Sequence, residues 1–198
     1  MRKKGWIRSM AAVTLLLFLG ACEGLLGPDL SGEIKLSSQL FGSESYYIFG
    51  YSYEDGEMYK YSYTGFTGDP VPDIINEGFL VIEGSKQISL PGFNTPALVN
   101  GFALVGEFES LGDARNFYEG YGQVEEGLQF ETVSDTVELY QVWVHQTSAG
   151  NYVKMVVTNI LDFEVESGRP YNEVTLEYVY SPDGSTDFPG TNDYLLFS

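Results

Sequence analysis

From Glu33 onward the chain is cut into short apolar and aromatic runs by turn-forming residues, and this punctuation constrains the fold more than any other feature. Asp55-Gly56 separates the runs 45–53 and 58–63, Gly84-Ser85 separates 79–83 and 87–90, and Ser148-Ala149-Gly150-Asn151 separates 137–147 and 152–165. Each is a hairpin signal, because such residues tolerate the backbone angles a tight turn needs. Residues 33–40, 102–108, 128–133 and 173–180 read as further strands, the last alternating Val174, Leu176, Tyr178 and Tyr180. Parallel strands need long crossovers, and turns this closely spaced leave no room for them. The expected fold is all-β, an antiparallel β-sandwich or open barrel.

Only one stretch carries a helical period. Ser110 can cap a helix over about 111–120, with Ala114, Phe117, Tyr118 and Tyr121 on one face and Gly120 and Gly122 at its end. Residues 64–78 and 91–101 are rich in Pro and Gly and read as loops.

Residues 1–21 have the layout of a lipoprotein signal peptide. Arg2, Lys3, Lys4 and Arg8 precede an apolar run from Met10 to Leu19, too short to span a bilayer. The run ends in Leu19-Gly20-Ala21-Cys22, which resembles the bacterial lipobox. That resemblance implies cleavage before Cys22, acylation of this single Cys, and a bacterial cell-envelope protein held to a membrane by lipid, facing periplasm or exterior. Residues 22–32 read as the lipidated Cys and a short tether, whose roughly ten residues reach at most about 35 Å. Residues 33–198 read as one β-rich domain.

Charge narrows the partners. Loss of residues 1–21 removes four basic residues and no acid, so the formal charge falls from −18 to −22. No basic patch remains to neutralise phosphates, which excludes nucleic acid as a partner. The acids are dispersed, as on a solubilising surface.

Catalytic signals are absent from the pattern. His145 is the only His, set in the run Trp143-Val144-His145, and no G-x-S-x-G accompanies it. It reads as a partly exposed strand residue, and the protein as a non-enzyme. With Cys22 committed to lipid, a zinc site would need three carboxylates around one His. Asp183-Gly184-Ser185-Thr186-Asp187 begins like a calcium loop, but Phe188 and Tyr194 stand where its Gly and Glu belong. A turn accounts for the segment, and no metal or cofactor is expected on the residues alone.

The aromatic hairpin is the strongest binding signal. Seven Tyr and one Phe lie between Tyr46 and Tyr63. With Asp55-Gly56 as a two-residue loop, Tyr53 faces Met58, Tyr51 faces Lys60 and Gly50 faces Tyr61. Tyr47, Phe49, Tyr51 and Tyr53 then line one face, and Tyr59, Tyr61 and Tyr63 the other. Tyrosine combines a flat apolar ring with a polar tip, which suits a sugar ring or flat aromatic ligand. Tyr47, Tyr51, Tyr53, Tyr59 and Tyr61 are therefore candidate binding residues for a small molecule, glycan or protein. Core rings in a structural envelope protein are the alternative.

Residues 147–157, reading TSAGNYVKMVV, and 174–185, reading VTLEYVYSPDGS, resemble the C-terminal hairpin of HmuY-like envelope lipoproteins. That resemblance implies a β-rich fold and, through the family's best-known members, haem as a ligand. Those members hold iron with two axial side chains, often His. This chain departs from that pattern in having one His, so His145 would need Met58 or Met155 as the second axial ligand, and no motif fixes either Met.

Overall fold

The computed structural model describes residues 30–43, 45–62, 70–97, 100–164 and 169–189. Cys22, the signal peptide, Tyr63 and the C-terminal Tyr194 to Phe197 lie outside them. The described chain is an all-β fold of antiparallel strands with a single short helix among the described residues. In order these are β1 (Ser31–Ser37), β2 (Tyr47–Ser52), β3 (Glu57–Ser62), β4 (Ile75–Asn76), β5 (Phe79–Glu83), β6 (Lys86–Leu90), β7 (Phe93–Asn94), β8 (Phe102–Gly106), α1 (Leu111–Gly120), β9 (Val142–Gln146), β10 (Tyr152–Phe163) and β11 (Tyr171–Ser181).

A five-stranded sheet, β1-β11-β10-β9-β8, is the middle layer, and it does not close into a barrel. One face packs against the ribbons β2–β3 and β4–β7, burying Ile34, Leu36, Tyr51, Tyr53, Ile74, Phe93, Met155, Leu176 and Tyr178 in one cluster. The other face carries α1, through Ala114 and Tyr118 on Val142 and Val156, and the segment around Phe188 on Val144. Burial on both faces explains the composition of β10, where Val153, Lys154, Met155, Val156 and Val157 are all buried. A strand covered on both sides reads as a continuous apolar run rather than an alternation.

The helix forms where its cap and period place it. Ser110 is extended and its side chain accepts from the Asp113 amide at 3.2 Å. The helix ends at Gly120, with the Tyr121 amide donating to the Phe117 carbonyl at 2.8 Å.

Several sequence expectations are corrected. The β2–β3 loop has four residues, so Tyr51 faces Met58, Phe49 faces Lys60 and Gly50 faces Tyr59. Tyr53 leaves the strand and enters the core, its amide donating to Asp73 Oδ2 at 2.9 Å, while Gly56 closes the loop on the Ser52 carbonyl at 2.9 Å. Burial of a Tyr ring outweighs the preference of Asp-Gly for a two-residue turn. Gly50 is required by the approach of the next segment: a Cβ there would lie 2.5 Å from Ile75 Cγ2 and 2.6 Å from the Ile74 carbonyl oxygen. Residues 128–133 form no strand, only bridges at Glu131 and Val133. Residues 137–141 are irregular, with Tyr140 at a φ of 67°. The expected loops contribute β4 and β7. Gly84-Ser85 does turn a two-residue hairpin, with Glu83 opposite Lys86.

The chain enters the domain at one end of the sheet, where the Leu30 carbonyl accepts from the Tyr180 amide at 2.7 Å. The turn at 148–151 and the β2–β3 loop share that end, with Tyr53 stacked on Tyr180. At the opposite end the Ser38 amide donates to the Asn172 carbonyl, and Phe41 bridges to Tyr47 just beyond.

Candidate functional site

The five candidate tyrosines divide between core and surface. Tyr53 and Tyr51 are buried. The Tyr51 hydroxyl lies 2.8 Å from that of Tyr178, and the Tyr53 hydroxyl donates to Met155 Sδ at 3.1 Å. The Tyr53 ring packs edge-on against Tyr178 and stacks on Tyr180, with centroids 5.2 and 5.8 Å away. These rings hold the β2–β3 ribbon to the sheet and offer no ligand surface. Tyr59 and Tyr61 are half-buried on the side of β3 opposite Met58 and Lys60, away from Tyr47. The five rings therefore do not form one platform.

The outer end of the same ribbon does form one. Phe41, Tyr47 and Phe49 make a three-ring cluster, with every pair of centroids 5.6–5.7 Å apart. Phe41 stacks on Tyr47 at 24°, and Phe49 stands edge-on to both. Lys60 Nζ sits 4.0 Å from the Tyr47 centroid. Phe49 is 39% exposed, and Met58, next along the same ribbon face, 43%. Aromatic rings that are part exposed and mutually oriented present flat apolar faces ringed by polar groups, the composition of a shallow ligand platform. Of the candidate residues only Tyr47 belongs to it. Phe49 and Met58 share its strand face by the period-two pattern, whereas Phe41 joins only through the bridge to Tyr47.

His145 is fully buried rather than partly exposed. Its ring stacks on Phe102 with centroids 4.5 Å apart and meets the ring of Tyr53 at 5.7 Å. Neither ring nitrogen has a hydrogen-bond partner among the described residues. Burial pushes its pKa down to about 3, so it is neutral at ordinary pH. An axial ligand needs a lone pair that can reach iron beside a wide planar macrocycle, and this ring is enclosed by Phe102 and Tyr53. Met155 is occupied by the Tyr53 hydroxyl, while Met58 is exposed on the outer ribbon. The residues do not fit the axial pair that the family resemblance implies.

Acidic groups gather at the chain-entry end. Burial raises Asp73 to about 6, and Glu54 and Asp55 add to the rise, against the lowering effect of the Tyr53 amide. No group of three or more His, Cys, Asp or Glu positioned to hold a metal occurs among the described residues. Residues 183–187 form a turn in which Asp183 Oδ1 accepts from the Ser185 amide at 2.9 Å. The carboxylate is thus committed to its own loop, and these bonds hold its pKa below the usual range.

Comparison with protein-family models, with curated proteins and with solved structures found no match to this chain.

Proposed function

We propose that the protein is a lipid-anchored, extracytoplasmic, non-catalytic binding module whose ligand docks on the aromatic cluster at the outer end of the β2–β3 ribbon. The ligand class that fits is a neutral sugar ring. Phe41, Tyr47 and Phe49 supply flat apolar faces, Lys60 and the Tyr47 hydroxyl supply polar groups, and the net charge disfavours polyanions.

The observation that carries the reading is the three-ring cluster itself, in which Phe49 is exposed and Phe41 and Tyr47 are half-buried, where Tyr51 and Tyr53 of the same ribbon are buried. Its location also suits an anchored domain. The cluster lies at the end opposite the chain entry, so a domain tethered through Cys22 turns that face away from the membrane. Leu19-Gly20-Ala21-Cys22 supports acylation, and with it a bacterial envelope location. The burial of Tyr51 and Tyr53 favours a second reading, a structural envelope protein in which the aromatics serve packing alone. An array of neutral oligosaccharides separates the two. Retention by the wild-type chain and loss with Phe49→Ala supports the binding module, and no retention of any glycan supports the structural role.

A further inference from the structure

The first strand leaves one edge of the main sheet open. In β1 the even-numbered residues exchange main-chain bonds with β11, as the pairs Leu30–Tyr180 and Ser38–Asn172 at its two ends show. The amides and carbonyls of Ser31, Glu33 and Lys35 therefore point outward, and they meet no partner among the described residues. Ser31, Gly32, Glu33 and Lys35 are exposed. Such an edge is a template for another strand unless something blocks it.

We infer that this edge pairs antiparallel with the same edge of a second copy, about a two-fold axis at Ile34. The outward groups belong to odd residues, so each hydrogen-bonded pair must join an odd residue to an odd residue. Centring on Ile34 sets Glu33 opposite Lys35 of the second copy, and Lys35 opposite its Glu33. Moving the axis to Glu33 or to Lys35 sets like charges opposite each other instead. The strand Ser31-Gly32-Glu33-Ile34-Lys35-Leu36-Ser37 is thus self-complementary in a single central register. A charged edge normally discourages pairing, but here each charge meets its opposite in that one register. Both side chains stand on the α1 side of the sheet, beside the pairs Lys35–Glu173 and Arg115–Glu177. Confinement of anchored chains to a membrane would raise the local concentration and favour the pairing. The contact itself does not depend on the anchor or on the proposed ligand.

The test uses the full chain in detergent, read by sedimentation. Wild type dimerises with concentration, whereas Glu33→Lys and Lys35→Glu alone each weaken the dimer about tenfold or more, since two favourable cross-strand pairs become repulsive. Mixing the two variants restores dimers, because each then offers the opposite charges of the other. A second measurement removes dependence on charge. Under mild oxidation Glu33→Cys mixed with Lys35→Cys cross-links between chains, while neither variant alone does, since only the mixture places the two thiols directly opposite. A monomeric wild type, equal dimerisation of all variants, or cross-linking independent of mixing overturns the inference.

Discussion

Lys154 Nζ lies 2.8 Å from the main-chain carbonyl oxygen of Tyr118, to which it donates. A second bond reaches the Tyr121 carbonyl at 2.9 Å, so one side chain from β10 satisfies two carbonyls at the C-terminal end of α1. That helix has no basic residue in its own last turn. The ammonium is fully enclosed, with the Tyr118 ring centroid 4.9 Å away and that of Phe188 at 5.5 Å. Burial lowers its pKa to about 8, against the pull of Glu119. The positive charge favours the negative end of the helix dipole, and the long stem crosses the layer between sheet and helix.

Lys154→Met keeps most of that stem and strands both carbonyls. Unpaired buried acceptors cost about 1–3 kcal/mol, so the variant loses stability of that order. Amide exchange should quicken first in α1, and chemical denaturation with hydrogen exchange checks both effects.

His145 and Asp73 make opposite contributions to stability against pH. His145 has a folded value of about 3 against 6.5, so the unfolded chain binds its proton first. Its contribution is full above pH 6.5 and is lost as the pH falls toward 3, on the order of 5 kcal/mol in all. Asp73 is raised from 3.8 to about 6, so its contribution is full below 3.8 and is lost as the pH rises through 6. His145→Phe should therefore gain on wild type as the pH drops from 6.5 to 4. Asp73→Asn should gain on it as the pH rises from 4 to 7. Thermal melts across that range check both signs. Added haemin should give no saturable Soret shift that disappears in His145→Ala.

Core and surface aromatics of one ribbon should respond differently to truncation. Tyr53→Ala removes a fully buried ring and costs about 3–5 kcal/mol. Phe49→Ala, on the exposed face, should shift stability by less than about 1 kcal/mol. Equal losses in denaturant titrations would make the outer rings structural.

The anchor is tested at Cys22. The Cys22→Ala variant should leave the membrane fraction, and the wild-type N-terminal peptide should carry acyl mass. Unchanged partitioning together with an unmodified N-terminus would remove the anchor.

Much of the fold is legible along the chain because its cues are local. The alternation of Val174, Leu176, Tyr178 and Tyr180, the Ser110 cap and the Gly84-Ser85 turn each depend on neighbours in sequence, and each forms as expected. The Tyr53–Gly56 loop does not follow its local cue, because a core more than 100 residues further on, at Met155 and Tyr178, draws Tyr53 inward. His145 shows the same limit. A polar side chain in a strand looks like a surface residue until Phe102 and Tyr53 cover it. The aromatic platform was half legible: Tyr47 and Phe49 share a face by alternation, but Phe41 reaches them only after a turn.

The proposed ligand surface is the cluster of Phe41, Tyr47 and Phe49. Its most direct test is the affinity of the full chain for neutral oligosaccharides, measured for wild type, Tyr47→Ala and Phe49→Ala with folding checked by thermal melt. Wild type should bind saturably and both folded variants should bind several-fold to about tenfold more weakly, the usual scale of losing a stacking ring. Binding that both variants retain, or no binding by the wild type to any neutral glycan, would contradict the proposal.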